Sequence, residues 1–374
     1  MVSLEETRGT LSLTDTLKIM KLQAEEERGF SISMTTSQVF FHLLERCISQ
    51  KSIENARAIH CLIISFGLDT DAFLVSHLIH MFAFFTRLPE AKQVFNKLAK
   101  PNVFSWNAII SAHVKLGYNE MAINLYHEML NLGIKPNGHV FVEVLKALSY
   151  MGDLEECKII HGFIVESGFE LDVYIANTLI DIYGNCRSSL DDAFRVFNRL
   201  ETRDIVSWNV LIAGYAQAGQ VDMVFSTSRR MRIECIQPNL VTFLALLNAC
   251  CHSALLNQGE QLFHEMIVLY NLKPIIEHYT CMVDLFSRAG EFEKAKHYLV
   301  DDVSTLLAFL GACHKLENFD LGRLAYKKIV QLDEKCAAAY VCMANIYASA
   351  SMHMEAHNIQ ALRVENRSME CTSR

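Results

Sequence analysis

The chain has 374 residues, 51% of them hydrophobic, with only five prolines and 16 glycines, so most of its length has apolar surface to bury and little of it reads as linker. Its 34 basic and 42 acidic side chains give a formal charge of −8, the reverse of the basic excess usual in proteins that grip phosphates. Twelve scattered cysteines with no secretory signal read as reduced thiols, and no apolar stretch is long and charge-free enough to cross a bilayer, which excludes a disulfide scaffold and a membrane-spanning chain.

Residues 1–36, with Glu5, Glu6 and the run Glu25–Glu27, read as a disordered leader that is too acidic for an organellar transit peptide. From Ser37 onward, Leu43, Leu44, Ile53, Ala56, Ile59, Leu62 and Ile63 fall at the three- and four-residue spacings of amphipathic helices. One small residue then recurs as Ala56, Ala91, Ala122, Cys157, Ala193, Val224, Gly259 and Ala295, with separations of 35, 31, 35, 36, 31, 35 and 36. Only Val224 is bulky. A small side chain at a fixed period marks a point where two backbones approach.

Three to four residues further on come Val94-Phe95, Leu125-Tyr126, Val196-Phe197 and Leu262-Phe263, which suit an interface between helices. Gly117, Gly152, Gly219 and Gly290 sit at the break between the two helices of a unit, whereas Gly133, Gly168, Pro136 and Pro238 end the second helix. Each unit reads as a helical hairpin that cannot bury its own apolar face and must stack on its neighbours. The clearest copies run from Val103 to Asn137 and from Ile205 to Asn239; they hold both tryptophans, Trp106 and Trp208.

The alternating unit lengths, with Val103-Phe104-Ser105-Trp106-Asn107 and Ile205-Val206-Ser207-Trp208-Asn209, resemble the pentatricopeptide repeat family, and in particular its plant subclass of P, L and S repeats. The resemblance implies an all-α fold, a right-handed α-solenoid of stacked helix-turn-helix hairpins. Its register gives L 37–71, S 72–102, P 103–137, L 138–172, S 173–204, P 205–239, L 240–275 and a shortened S 276–302. Residues 303–366 resemble the family's extension (E) motifs, with Leu310-Gly311-Ala312-Cys313, Ala339-Tyr340-Val341 and Asn345-Ile346-Tyr347, and 367–374 form a divergent tail. The chain is short between Tyr298 and Val303, so the second helix of the last S unit is expected to be incomplete.

The same resemblance implies that the fifth residue of a repeat, with its last residue, reads one base of single-stranded RNA. The fifth positions carry Ser76, Asn107, Asn177, Asn209 and Thr280 in S and P units, and apolar Phe41, Val142 and Leu244 in L units. Carried over, the pairs are Ser76/Asn102, Asn107/Asn137, Asn177/Asp204 and Asn209/Asn239, which the family's code assigns to A, C, U and C; Thr280 has only Asp302 as a weak partner. Chemically, the aspartate accepts from the N3–H of uracil while an asparagine donates to N3 of cytosine. Simple solvation of a polar helix face explains such residues equally well in isolation. Phe104, Tyr174 and Val206, near the helix starts, are candidates to sandwich bases, although Val206 fits packing between hairpins as well.

Catalytic patterns are few. His353-Met354-Glu355 matches half of the family's zinc deaminase (DYW) motif, but no Cys-x-x-Cys exists and only Cys371 follows, so neither a metal nor another cofactor is expected. His60 and His161 recur at one repeat position and read as structural. The resemblance thus implies a non-enzymatic RNA-binding adaptor in mitochondria or chloroplasts, serving organellar RNA processing such as C-to-U editing and recruiting a deaminase-bearing protein through the extension. The net charge and divergent tail leave open a protein-binding scaffold, or a decayed repeat protein without RNA recognition.

Overall fold

In the computed structural model, which describes residues 35–371, every α-helix belongs to a row of hairpins, and no strand occurs among the described residues. Residues 1–34 of the expected leader and 372–374 of the tail lie outside the described residues. The leader's proposed end is corrected: Thr35 and Thr36 belong to the fold, because Thr35 accepts from the Gln38 N–H and the Gln38 side chain accepts from the Thr35 N–H, a reciprocal cap on the first helix.

The chain divides into two compact units, at Thr178/Leu179, within the helix Val173–Gly184. The first unit holds α1 (Thr36–Ser49), α2 (Ile53–Ser65), α3 (Ala72–Phe84), α4 (Leu88–Asn96), α5 (Val103–Lys115), α6 (Asn119–Asn131), α7 (Gly138–Met151), α8 (Leu154–Glu166) and the start of α9 (Val173–Gly184). Here α1, α3, α5 and α7 lie in one row, each packed on the next. Helices α2, α4, α6 and α8 form the second layer; α4 and α6 each touch the first helix before and after them.

The second unit repeats the scheme. After the end of α9 come α10 (Leu190–Arg199), α11 (Ile205–Ala218), α12 (Val221–Ile233), α13 (Leu240–His252), α14 (Leu256–Val268), α15 (Ile276–Arg288), α16 (Phe292–His297), α17 (Val303–Lys315), α18 (Phe319–Leu332), α19 (Ala337–Ser349) and α20 (His353–Cys371). Its first helices, α11, α13, α15, α17 and α19, form the row. Helix α16 has six residues, and the Tyr298 ring just after it stacks on Phe286 at 5.6 Å, closing the hairpin that the short helix leaves open. Helix α20 runs without a break across 366/367, where the sequence reading set the end of the extension-like segment.

Why the helices start where they do is visible in their caps. Asp71, Asn102, Asn137, Asp204, Asn239 and Asp302 each accept a backbone N–H from the first turn of α3, α5, α7, α11, α13 and α17, contacts that contribute about 1 kcal/mol apiece. Packing follows the recurrent small residue. Ala56, Ala91, Ala122, Cys157, Ala193, Val224 and Ala295 are all fully buried, and a Cβ on Gly259 would strike Leu285. The series runs on through Gly322 and Ala356, which the sequence reading missed. Aromatic rings of a second helix meet the fourth residue of the following first helix: Phe95 on Trp106 at 4.8 Å, Tyr126 on Phe141 at 6.4 Å, Phe197 on Trp208 at 4.7 Å and Phe263 on Tyr279 at 5.5 Å. Two backbones also approach closely at Gly184 and Gly214, where a Cβ on the latter would lie 3.0 Å from the Cα of the former.

The break inside most hairpins is left-handed, whereas that between α9 and α10 runs through a 3-10 turn at Arg187–Ser189. Gly117, Gly152, Gly219 and Gly290 have φ between 70° and 80°, and where glycine is lacking Lys51, Thr86 and Ala254 take φ of 52°, 58° and 53°. The stack, rather than local preference, imposes that conformation at an energetic cost. Ala254 is exposed, so Ala254→Gly removes strain without a lost contact. We expect it to stabilise the second unit by about 0.5–1 kcal/mol, read as a raised urea midpoint at unchanged slope.

Candidate nucleic-acid interface

The fifth residue of each first helix sits one turn after its cap, so the two side chains named for each repeat come from consecutive helix starts. In the repeat 205–239 they meet: Asn209 Nδ2 donates to Asn239 Oδ1 at 3.1 Å, and the Thr242 hydroxyl donates to Asn209 Oδ1 at 2.6 Å. In 103–137, Asn137 Oδ1 accepts the Val140 N–H at 3.0 Å, while Asn107 is half-buried and its enclosed Oδ1 has no hydrogen-bond partner. In 72–102, Ser76 Oγ donates to its own helix at Ala72 O (2.7 Å), and Asn102 Oδ1 accepts from the Phe104 and Ser105 N–H groups at 3.1 and 3.0 Å. Asn177 lies in the first compact unit and Asp204 in the second; Asp204 Oδ1 accepts from Ser207 N and Oγ, both at 2.8 Å. Thr280 Oγ1 donates to Ile276 O at 3.0 Å, and Asp302 caps α17 through Ser304 N at 2.7 Å.

Two features differ from the sequence expectation. Ser76, Asn177 and Asn209 retain only 9%, 8% and 6% of their exposure rather than standing out to solvent. And the last residue of each repeat is first of all a helix cap, so one of its side-chain acceptors is already committed. The remaining amide N–H groups of an asparagine cap are still donors, which is the chemistry the pairing with a base requires.

The three stacking candidates are exposed. Tyr174 is 80% exposed and Phe104 64%, with Val206 also open. The sequence reading missed Phe73 and Val241, exposed at the same second position of α3 and α13; the signal was simply an apolar residue two places after a capping Asp or Asn. Phe73 is braced by His77 and Phe41, with ring centroids 4.6 and 5.7 Å away. On α13, Leu244 and Val241 line a cavity of about 170 Å³ with Ala213, Ala216 and Asn248, an apolar recess between α11 and α13.

Two cations of the first helices are paired, while Lys115 and Lys315 stand in the last turns of α5 and α17. Lys146 is held by Glu143 at 2.9 Å and Arg288 by Asp284 at 2.7 Å, each on its own helix. Burial, with Lys115 nearby, pushes His80 down to about 4, and burial also lowers His77, so neither adds positive charge at neutral pH. His353 and Glu355 are exposed, and the described residues contain no cluster of His, Cys, Asp and Glu able to hold a metal.

Stacked hairpins of 31–36 residues, with a capped row of first helices, define a helical-repeat protein. The chain belongs to the PPR repeat family: the model described as "PPR repeat family" matches residues 101–149 and 203–252, and the one described as "PPR repeat" matches 241–269 and 277–301. A mitochondrial pentatricopeptide repeat-containing protein of Arabidopsis thaliana is 34% identical over 307 residues, which is 81% of this chain and 48% of that protein. The chloroplastic protein CRR2 of the same plant is 32% identical over 343 residues, 88% of this chain and 52% of that protein. The chain thus spans about half the length of the curated relatives it matches. Among solved structures, PPR10 in complex with an 18-nt psaJ RNA element aligns with a TM-score of 0.75 at 17% identity, over 98% of this chain and 57% of that one, and PPR10 from maize does so at 0.54. These likenesses show the fold, an α-solenoid of helical hairpins. No described helix is long and apolar enough to cross a membrane.

Proposed function

We propose that the protein binds single-stranded RNA in a sequence-dependent way, with one base per S or P repeat, and that it acts as an adaptor for organellar RNA processing. The observation that carries this reading is the meeting of Asn209 and Asn239 at 3.1 Å, which sets two amides from opposite ends of one repeat at a single point on the first-helix row. In the first unit, exposed Phe73, Phe104 and Tyr174 stand at the second position of α3, α5 and α9, each three residues before a fifth-position side chain, where a base would find an aromatic face. The RNA named with the PPR10 complexes supports the same class of ligand.

The finer reading is a member of the P, L and S subclass whose helices α17 to α20 form the extension. In that reading the protein selects a cytidine for C-to-U editing and recruits a deaminase carried by another chain, inside mitochondria or chloroplasts; the mitochondrial and chloroplastic names of the relatives support the compartments. The protein supplies selectivity and no catalytic step.

In register order the four pairs ask for adenine and cytosine, one unread base, then uracil and cytosine. An RNA with that order should bind more tightly than a scrambled one of equal composition, and Asn107→Ala should narrow the gap by about tenfold, the scale of one lost base contact. Equal binding of matched and scrambled RNA to the native chain would refute the reading.

A further inference from the structure

The pairs Asn107/Asn137 and Asn209/Asn239 carry identical residues, so a two-residue code gives both repeats the same preference and the same strength. Among the differences around them, one bears on the side-chain hydrogen bonds of the pair. Three residues after Asn239 stands Thr242, fully buried; three residues after Asn137 stands Val140, also fully buried. The Thr242 hydroxyl has a single hydrogen, and at 2.6 Å it goes to Asn209 Oδ1, with Asn239 Oδ1 farther off at 3.1 Å. Asn209 Nδ2 in turn donates to Asn239 Oδ1, which also accepts the Thr242 N–H at 3.0 Å, while the Asn239 N–H donates to Thr242 Oγ1 at 3.1 Å. The three side chains close a ring, and Asn209 is left 6% exposed. Val140 has no hydroxyl to offer. There the backbone cap survives, but Asn107 Oδ1 stays without a hydrogen-bond partner and the side chain remains half-exposed.

We infer that Thr242 is a latch on the repeat 205–239: its hydroxyl holds the Asn209 amide in an internal ring, so that this repeat discriminates its base less than the repeat 103–137 with the same two asparagines. The inference rests on the proposed reading of bases by the asparagine pairs. A base can engage Asn209 only by displacing bonds already made in a dry environment, whereas the Asn107 side chain is half-exposed and its Oδ1 is held by no such ring. Specificity in this chain is then set by a third residue, supplied by the following repeat.

The test uses the full chain and short single-stranded RNAs in which the base opposite each of the two repeats is cytosine or uracil. The native protein should discriminate cytosine from uracil about five- to tenfold more strongly at 103–137 than at 205–239, the ratio expected from one net hydrogen bond. Thr242→Val keeps the shape and the bond from the residue-242 N–H to Asn239 Oδ1, gives up the Asn239 N–H bond to the hydroxyl, and should raise discrimination at 205–239 to the level of the other repeat; Thr242→Ser keeps the hydroxyl and should leave it low. Val140→Thr is the independent arm, since it adds a hydroxyl at the position that Thr242 holds in the other repeat and should lower discrimination at 103–137. Equal discrimination at both repeats in the native chain, with no change in Thr242→Val, overturns the latch and leaves base reading intact. Absence of discrimination at both repeats in every variant overturns the reading of bases and the latch with it.

Discussion

Trp208→Ala should destabilise the second unit by about 3–5 kcal/mol, the range for truncating a large buried aromatic. Trp208 is fully buried, with Phe197 edge-on at 4.7 Å and the Arg230 guanidinium 5.5 Å from its ring, so the deletion opens the joint between α10, α11 and α12. Trp208→Phe should cost much less, because the indole N–H has no hydrogen-bond partner in its buried site and its removal relieves a polar burial. The remaining Trp106 lies in the first unit, where its fluorescence reports that part alone. Urea unfolding followed by far-ultraviolet circular dichroism and by Trp106 emission should therefore separate in Trp208→Ala, with the helical signal melting earlier. Loss of both signals at one lowered midpoint would instead show that the repeats unfold as one cooperative body.

Phe104→Ala and Tyr174→Ala should each weaken RNA binding by about 1–3 kcal/mol, the measured worth of one base stacked on an aromatic ring. Both rings are open to solvent and neither supports the core, so the fold should be unchanged, and Tyr174→Phe should bind as the native chain does. With Lys146 and Arg288 tied to their own helices and a net charge of −8, few counterions can be released; the slope of log affinity against log salt should be shallow for a protein of this length. Isothermal titration at two salt concentrations measures both quantities. A steep salt slope with no effect of either alanine would move the contact from these aromatic rings to the phosphates.

The repeat scaffold was legible in the sequence because its demands are local and periodic. A position that must be small for two backbones to meet, as at Ala91 or Ala122, shows through any change elsewhere, and a left-handed break advertises itself when glycine fills it, as at Gly152 and Gly219. Where Thr86 or Ala254 takes the same φ, the signal vanishes, since the stack imposes the conformation on a residue that does not prefer it. Gly322 and Ala356 were passed over because the repeat consensus fades in the last hairpins while the packing rule persists.

The candidate interface was less legible. Spacing located the pairs, but an Asn before a helix is also the usual cap, and sequence alone does not say that Asn102, Asn137 and Asn239 serve the helix first. Nor does it reveal that Asn209 is turned inward by Thr242, a contact between residues 33 apart that depends on how two hairpins settle against each other. Burial of Ser76, Asn177 and Asn209 means that base reading, where it occurs, draws these side chains out of existing bonds; the affinity at each repeat then reflects the strength of what is displaced.

The most direct test of the account is to change one letter of a pair without touching the fold. Asn137→Asp keeps a side chain that caps α7 equally well, since aspartate and asparagine are comparable at that position, but it exchanges an N–H donor for an acceptor. Paired-oligonucleotide binding at the base opposite 103–137 should then switch from cytosine to uracil, with every other position unaffected. Unchanged preference for cytosine, or indifference to the base in both proteins, would contradict the claim that these amides read RNA.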